Sequence, residues 1–135
     1  MLTTQGITFN ATNAFLFNAG GSIQFNSSLT GGQEVPPVTT LTTGTGTFTL
    51  TSSGLQYDIN VHTVSGSHIT SASFRNGLSG SVGPVLQSID FSGSRATGTW
   101  NLSVSQRNLL LDGKIYVNVH TNQNSNGEIR GQLHQ

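Results

Sequence analysis

A two-residue alternation of apolar and polar side chains, broken at short intervals by Gly, Ser or Asn, restricts this chain more than any other feature of its sequence. Successive side chains of a strand point to opposite faces of a sheet, so this pattern builds half-buried sheet and cannot line one face of a helix. Ile7, Phe9, Ala11, Phe15 and Phe17 fall on odd positions with mostly polar residues between them, and Ile23, Phe25 and Leu29 renew the pattern after Gly20-Gly21. Further segments of strand character cover residues 45–51, 55–62, 68–74, 85–91, 96–104, 115–120 and 129–133. Helical periodicity is confined to residues 105–111, whose run Leu109-Leu110-Leu111 can close one end of a barrel or sandwich. The expectation is an all-β protein, a two-layer antiparallel β-sandwich of eight to nine strands. No linker separates these segments, and a chain of 135 residues is long enough to bury one core without disulfides.

Strand parity assigns faces. In residues 55–62 the set Leu55, Tyr57, Ile59 and Val61 is expected inward, which turns Gln56, Asp58, Asn60 and His62 outward. In residues 115–120 the inward set is Ile115, Val117 and Val119, so Tyr116, Asn118 and His120 point away. Ile129 and Leu133 similarly turn Arg130, Gln132 and His134 to the other face. The aromatic residues Phe25, Phe48, Tyr57, Phe74, Phe91, Trp100 and Tyr116 mostly alternate with polar neighbours and read as core.

Charge is scarce. Asp, Glu, Lys and Arg make up 7% of the chain, five bases against five acids, so no basic stripe exists to displace the counterions of a nucleic acid. Hydroxyl and amide side chains coat the surface instead. Cysteine is absent, which removes disulfide frameworks, thiolate nucleophiles and thiolate metal sites. The N-terminus has no basic stretch followed by a long apolar run, so neither a signal peptide nor a membrane span is expected in this chain. Asn10-Ala11-Thr12, Asn26-Ser27-Ser28 and Asn101-Leu102-Ser103 fit the glycosylation acceptor pattern, which in a sequence this rich in Asn, Ser and Thr also arises by chance.

Three stretches carry a family likeness. Leu29-Thr30-Gly31-Gly32-Gln33-Glu34-Val35-Pro36-Pro37-Val38, followed by Thr43-Gly44-Thr45-Gly46-Thr47-Phe48, resembles the opening of a CHRD (chordin-type) domain. Tyr116-Val117-Asn118-Val119-His120-Thr121 and Asn126-Gly127-Glu128-Ile129-Arg130-Gly131-Gln132-Leu133 are similar to that family's closing signature, with Gly83-Pro84-Val85 and Gly98-Thr99-Trp100 in order between them. The resemblance implies a sandwich of immunoglobulin-like or superoxide-dismutase-like architecture over residues 23–135, in a secreted, extracellular or cell-surface setting. Many members carry a His-x-His pair, whereas here the matching segment is His68-Ile69-Thr70. Residues 1–22 lie outside the likeness and are expected to form an N-terminal β extension, a candidate donated strand that completes a neighbouring sheet.

Candidate chemistry is sparse. No Ser-His-Asp arrangement and no phosphate loop stands out, and five carboxylates leave little material for acid–base work, so the chain reads as a non-enzyme without a cofactor. His62, His68 and His120 are the candidate metal ligands, for Cu or Zn, against the plainer reading of surface histidines. Asp58, Asn60 and Asn118, or the turn at residues 122–128, offer oxygens to Ca²⁺ against the plainer reading of Asn-rich turns. Glu34 and Arg130 are expected to form a structural ion pair that fastens the Gln33–Pro37 loop to the last strand, a role Glu128 can also fill. Ile7, Phe9, Phe15 and Phe17 are the candidate self-association residues, because left in water they form an apolar ribbon. The functional expectation is a secreted structural or adhesive domain that pairs strands with copies of itself. The alternative is an extracellular module binding a metal, a protein or a glycan.

Overall fold

The computed structural model describes residues 21–135. Eight strands form in order: β1 (Ile23–Leu29), β2 (Thr43–Thr51), β3 (Gly54–His62), β4 (Ile69–Asn76), β5 (Val85–Ser88), β6 (Arg95–Trp100), β7 (Ile115–Thr121) and β8 (Ile129–Gln132). They divide into two four-stranded antiparallel sheets, β1-β2-β3-β6 and β5-β4-β7-β8. This is the sandwich that the alternation predicts. The split is four plus four, unlike the four plus three of an immunoglobulin constant domain.

The core is assembled by parity. Phe25 and Leu29 of β1, Phe48 and Leu50 of β2, and Leu55, Ile59 and Val61 of β3 are buried together with Phe74 of β4, Trp100 of β6, Ile115, Val117 and Val119 of β7 and Ile129 of β8. Phe74 sits at its centre, stacked on Trp100 at 4.7 Å and edge-on to Phe48 and Tyr57 at 6.1 and 5.3 Å. Such contacts add to the area these rings bury.

The one helix among the described residues, α1 (Val104–Leu111), starts where the sequence provides a reciprocal cap: Ser103 Oγ accepts from the Gln106 N–H, and Gln106 Oε1 accepts from the Ser103 N–H. Leu110 joins the core, and Leu109 and Leu111 pack against it half-buried. Arg107 ties the helix to the turn between β2 and β3, donating to the carbonyls of Thr51 and Ser52.

The two sheets are sutured along one side. Asn26 of β1 exchanges two backbone hydrogen bonds with His134, at 2.7 and 3.0 Å, and Thr30 exchanges two with Arg130, both at 3.0 Å. The backbones approach so closely here that a Cβ on Gly131 would lie 2.3 Å from Ser27 Oγ. The outer edges of β1 and β8 therefore partly satisfy each other. On the opposite side, residues 96–100 of β6 have no backbone–backbone hydrogen bonds among the described residues beyond their pairing with β3. Among the described residues β5 pairs only with β4.

Candidate functional site

The strand parity that buries Val117 and Val119 places Tyr116, Asn118 and His120 on the opposite face of β7, as expected. What differs is that this second face is not open to water: Tyr116, Asn118 and Arg130 are buried, with relative exposures of 2%, 5% and 2%. Register explains how they meet. Arg75 of β4, Tyr116 and Gln132 of β8 lie in one cross-strand row, and Ser73, Asn118 and Arg130 in the next. The segments 30–38, 77–84 and 122–127 lie over these rows and cover most of them.

Each polar group beneath those loops finds a particular partner. Asn118 Nδ2 donates to Glu34 Oε2 at 2.6 Å and to the Ile129 carbonyl at 3.2 Å. Its Oδ1 sits 2.8 Å from His120 Nε2, while His120 Nδ1 is 2.8 Å from the Ser125 carbonyl oxygen. The Arg130 guanidinium lies 3.5 Å above the Tyr116 ring and donates to the Leu78 carbonyl at 2.9 Å. Tyr116 Oη accepts from the Gly83 N–H at 3.1 Å, and Arg75 Nη1 donates to the Gly83 carbonyl at 3.0 Å. Gln132 Nε2 donates to the carbonyls of Gly77 and Gly113. Glu128, fully buried, accepts from the hydroxyls of Thr40 and Thr121 and so fastens the incoming loop to the end of β7.

Burial governs the electrostatics. Desolvation raises the Glu34 carboxyl above its ordinary range, and the Asn118 hydrogen bond and the charges of Arg130 and Arg75 only partly offset it. Desolvation lowers the Arg130 guanidinium. Burial also pushes Glu128 upward, but hydrogen bonds from Thr121, Thr40, Thr42 and Asn124 together outweigh it, so its carboxyl lies below the ordinary range.

Two adjoining concavities open at Glu34. A cleft of about 380 Å³ runs between Glu34–Val38 on one wall and Gln123–Gly127 on the other. Beside it a cavity of about 50 Å³ is lined by Arg75, Tyr116, Asn118 and Arg130, and shares Glu34, Val35 and Asn126 with the cleft. Val35 and Val82, 41% and 64% exposed, stand at its rim.

The sequence-derived candidates fare differently. Glu34 and Arg130 are brought into one cluster, yet they form no direct ion pair. Among the described residues the ion pairs are Asp58–Arg95 at 2.8 Å and Asp112–Lys114 at 3.5 Å. Asn118 takes the Glu34 carboxylate and Tyr116 takes the Arg130 guanidinium, so the two charges influence each other only through space. Glu128 is likewise held by hydroxyls and not by an arginine.

His62, His68 and His120 are not gathered into a metal site. No group of three His, Cys, Asp or Glu side chains that could hold a metal occurs among the described residues. His62 closes β3 in one sheet, His68 precedes β4 in the other, and both His120 nitrogens already face protein oxygens. Asp58 and Asn60 are also apart from Asn118, since Asp58 is bound by Arg95 and Asn60 on the outer face of the first sheet. Ile7, Phe9, Phe15 and Phe17, and the acceptor Asn10, lie outside the described residues. Asn26 and Asn101 are exposed.

Tyr116, turned outward by parity but read as core among the aromatic residues, belongs to this polar layer, and Arg75 carried no signal by itself. The legible hint was the placement of Tyr116, Asn118 and Arg130 on outward-facing parities in a chain with so few charges. Among the described residues, no helix is long and apolar enough to cross a membrane. The family model for the CHRD domain matches residues 25–133. No curated protein and no solved structure matches the chain significantly.

Proposed function

Because the chain belongs to the CHRD domain family, whose members are generally extracellular, we propose that it is a non-catalytic structural or adhesive domain that joins copies of itself by β-strand addition. The observation that carries this reading is the inequality of the two sides of the sandwich. β1 and β8 close on each other, while β6 and β5 present backbone edges with no further strand among the described residues. An edge strand is a template for a further strand, with main-chain hydrogen bonds giving affinity and alternate side chains giving register. The sequence supplies a donor in the alternating residues 7–17, about 36 Å of chain at roughly 3.3 Å per residue. With five acids against five bases, the domain offers little net electrostatic resistance to association.

Electron microscopy and light scattering of the whole chain, of a variant lacking residues 1–18 and of a Thr97→Pro variant test this reading. Polymers or discrete oligomers are expected for the whole chain, with both variants reduced to monomer, because proline removes an edge donor. A whole chain that remains monomeric at high concentration refutes it. A second reading, an extracellular module that binds a protein or glycan ligand, is favoured by the cleft at Glu34.

A further inference from the structure

The polar layer under the loops is unevenly charged. Arg75 and Arg130 line the 50 Å³ cavity against a single carboxylate, Glu34, which lies within 4 Å of neither guanidinium nitrogen set. Donors also outnumber acceptors. Among the described residues Arg75 Nε is enclosed and has no hydrogen-bond partner, an unfavourable arrangement that a ligand drawing the guanidinium toward the cavity can relieve. The cavity has room for a few waters or for one carboxylate-sized group, since a water needs roughly 10–15 Å³ of such space. Exposed Val35 and Val82 at its rim offer apolar contact around that polar centre, the arrangement in which buried groups carry most of an interface's specificity.

We propose that this cavity is a recognition pocket for the carboxylate of an acidic side chain on a partner protein, held between Arg75 and Arg130. The incoming group balances the two guanidinium charges across the cavity, and its chain rests on Val35 and Val82. Arginine suits the task because its planar fork matches carboxylate geometry. The pocket is distinct from the strand edges, so its failure leaves the assembly reading standing.

Glu34 opposes the incoming carboxylate while ionised, and burial holds its carboxyl above the ordinary range. The groups facing it are Asn118 from β7, Arg130 from β8 and Arg75 from β4, with His120 acting through Asn118. Binding therefore tightens as pH falls and Glu34 takes up a proton, until the ligand itself protonates.

The chain has four arginines, so the Nε–H signals of Arg75, Arg95, Arg107 and Arg130 can be followed separately by NMR. Titration with the probe N-acetyl-glutamate amide is expected to move Arg75 and Arg130 saturably and to leave Arg95 and Arg107 in place. Glu34→Gln should tighten the probe about tenfold, a factor equal to one unit of differential charge interaction. Arg75→Met, checked for folding by its thermal melt, should abolish the response at Arg130. Three outcomes overturn the proposal: no saturable movement in the wild-type chain, movement of all four arginines alike, or tighter binding of glucuronate than of the glutamate probe.

Discussion

Replacing Gly127 with Ala tests the polar layer most directly. Gly127 has φ +121°, a region that residues with a Cβ scarcely enter, and occupying it costs about 1–3 kcal/mol. The added methyl also has a specific obstacle: it would lie 2.9 Å from both Glu34 carboxylate oxygens and 3.1 Å from Asn118 Nδ2. Glu34 must move, and breaking its hydrogen bond to Asn118 adds about 1.5–3 kcal/mol for a buried charged acceptor. The sum, about 2.5–6 kcal/mol, is a large share of the roughly 5–15 kcal/mol that stabilises a domain.

Gly113→Ala provides the matched control. Its φ is +76°, nearer the left-handed helical region, and none of the described residues lies within 4 Å of the added Cβ, so only strain of about 1–2 kcal/mol is expected. Urea unfolding with linear extrapolation measures both substitutions, and an unchanged m-value confirms that the folded and unfolded states are otherwise comparable. In a Glu34→Ala background the difference between the two should shrink toward the difference in strain alone. A Gly127→Ala cost no greater than that of Gly113→Ala, or a difference undiminished by removal of Glu34, refutes the arrangement described for this layer.

Other groups in the fold give further expected outcomes. Glu34 binds its proton more tightly folded than unfolded, so its contribution to stability is greatest at acid pH and falls as pH rises from the ordinary carboxyl value to its raised one. Glu34→Gln should flatten that part of a stability-versus-pH curve. Glu128 has the opposite sign: its carboxyl is lowered, so its contribution is present above the ordinary range and lost as acid protonates the folded state, a loss that Glu128→Gln should remove from the same curve. Trp100→Ala removes a ring that is 3% exposed and stacked on Phe74, and should destabilise the fold by about 3–5 kcal/mol in urea. Asp58→Asn, which breaks the exposed pair with Arg95, should leave the unfolding midpoint unchanged, because side chains open to water gain little from such contacts.

Much of the sandwich was legible because each strand carries its own face assignment. Thr43–Thr51 alternates glycine, Phe48 and Leu50 with a file of threonines, and the structure buries one set and exposes most of the other. The capping pair Ser103 and Gln106 makes α1 local in the same sense. The pattern nevertheless overextended β6, expected to reach residue 104, because Trp100 and Leu102 continue the alternation after the chain has left the sheet for the helix.

The site was legible only in part. Parity put Tyr116, Asn118 and Arg130 on one side of their strands, and scarcity of charge singled out Glu34 and Arg130. Parity does not say whether that side meets water or a loop, and a pair of opposite charges in one cluster does not have to touch. Here Asn118 and Tyr116 intervene, because residues 84 positions apart are matched by register between β7 and β8 and by the path of the Glu34 loop.

The sequence by itself determined that this chain is a β protein, which residues of its described strands face inward, and which family it resembles, since all three follow from local spacing and short motifs. Tertiary structure alone decided that the second face of β7 is buried, that among the described residues β1 and β8 close one side while β5 and β6 remain edges, and that three histidines stay apart. Those outcomes depend on how distant strands align and how loops drape over them, and no spacing within a single segment carries that information.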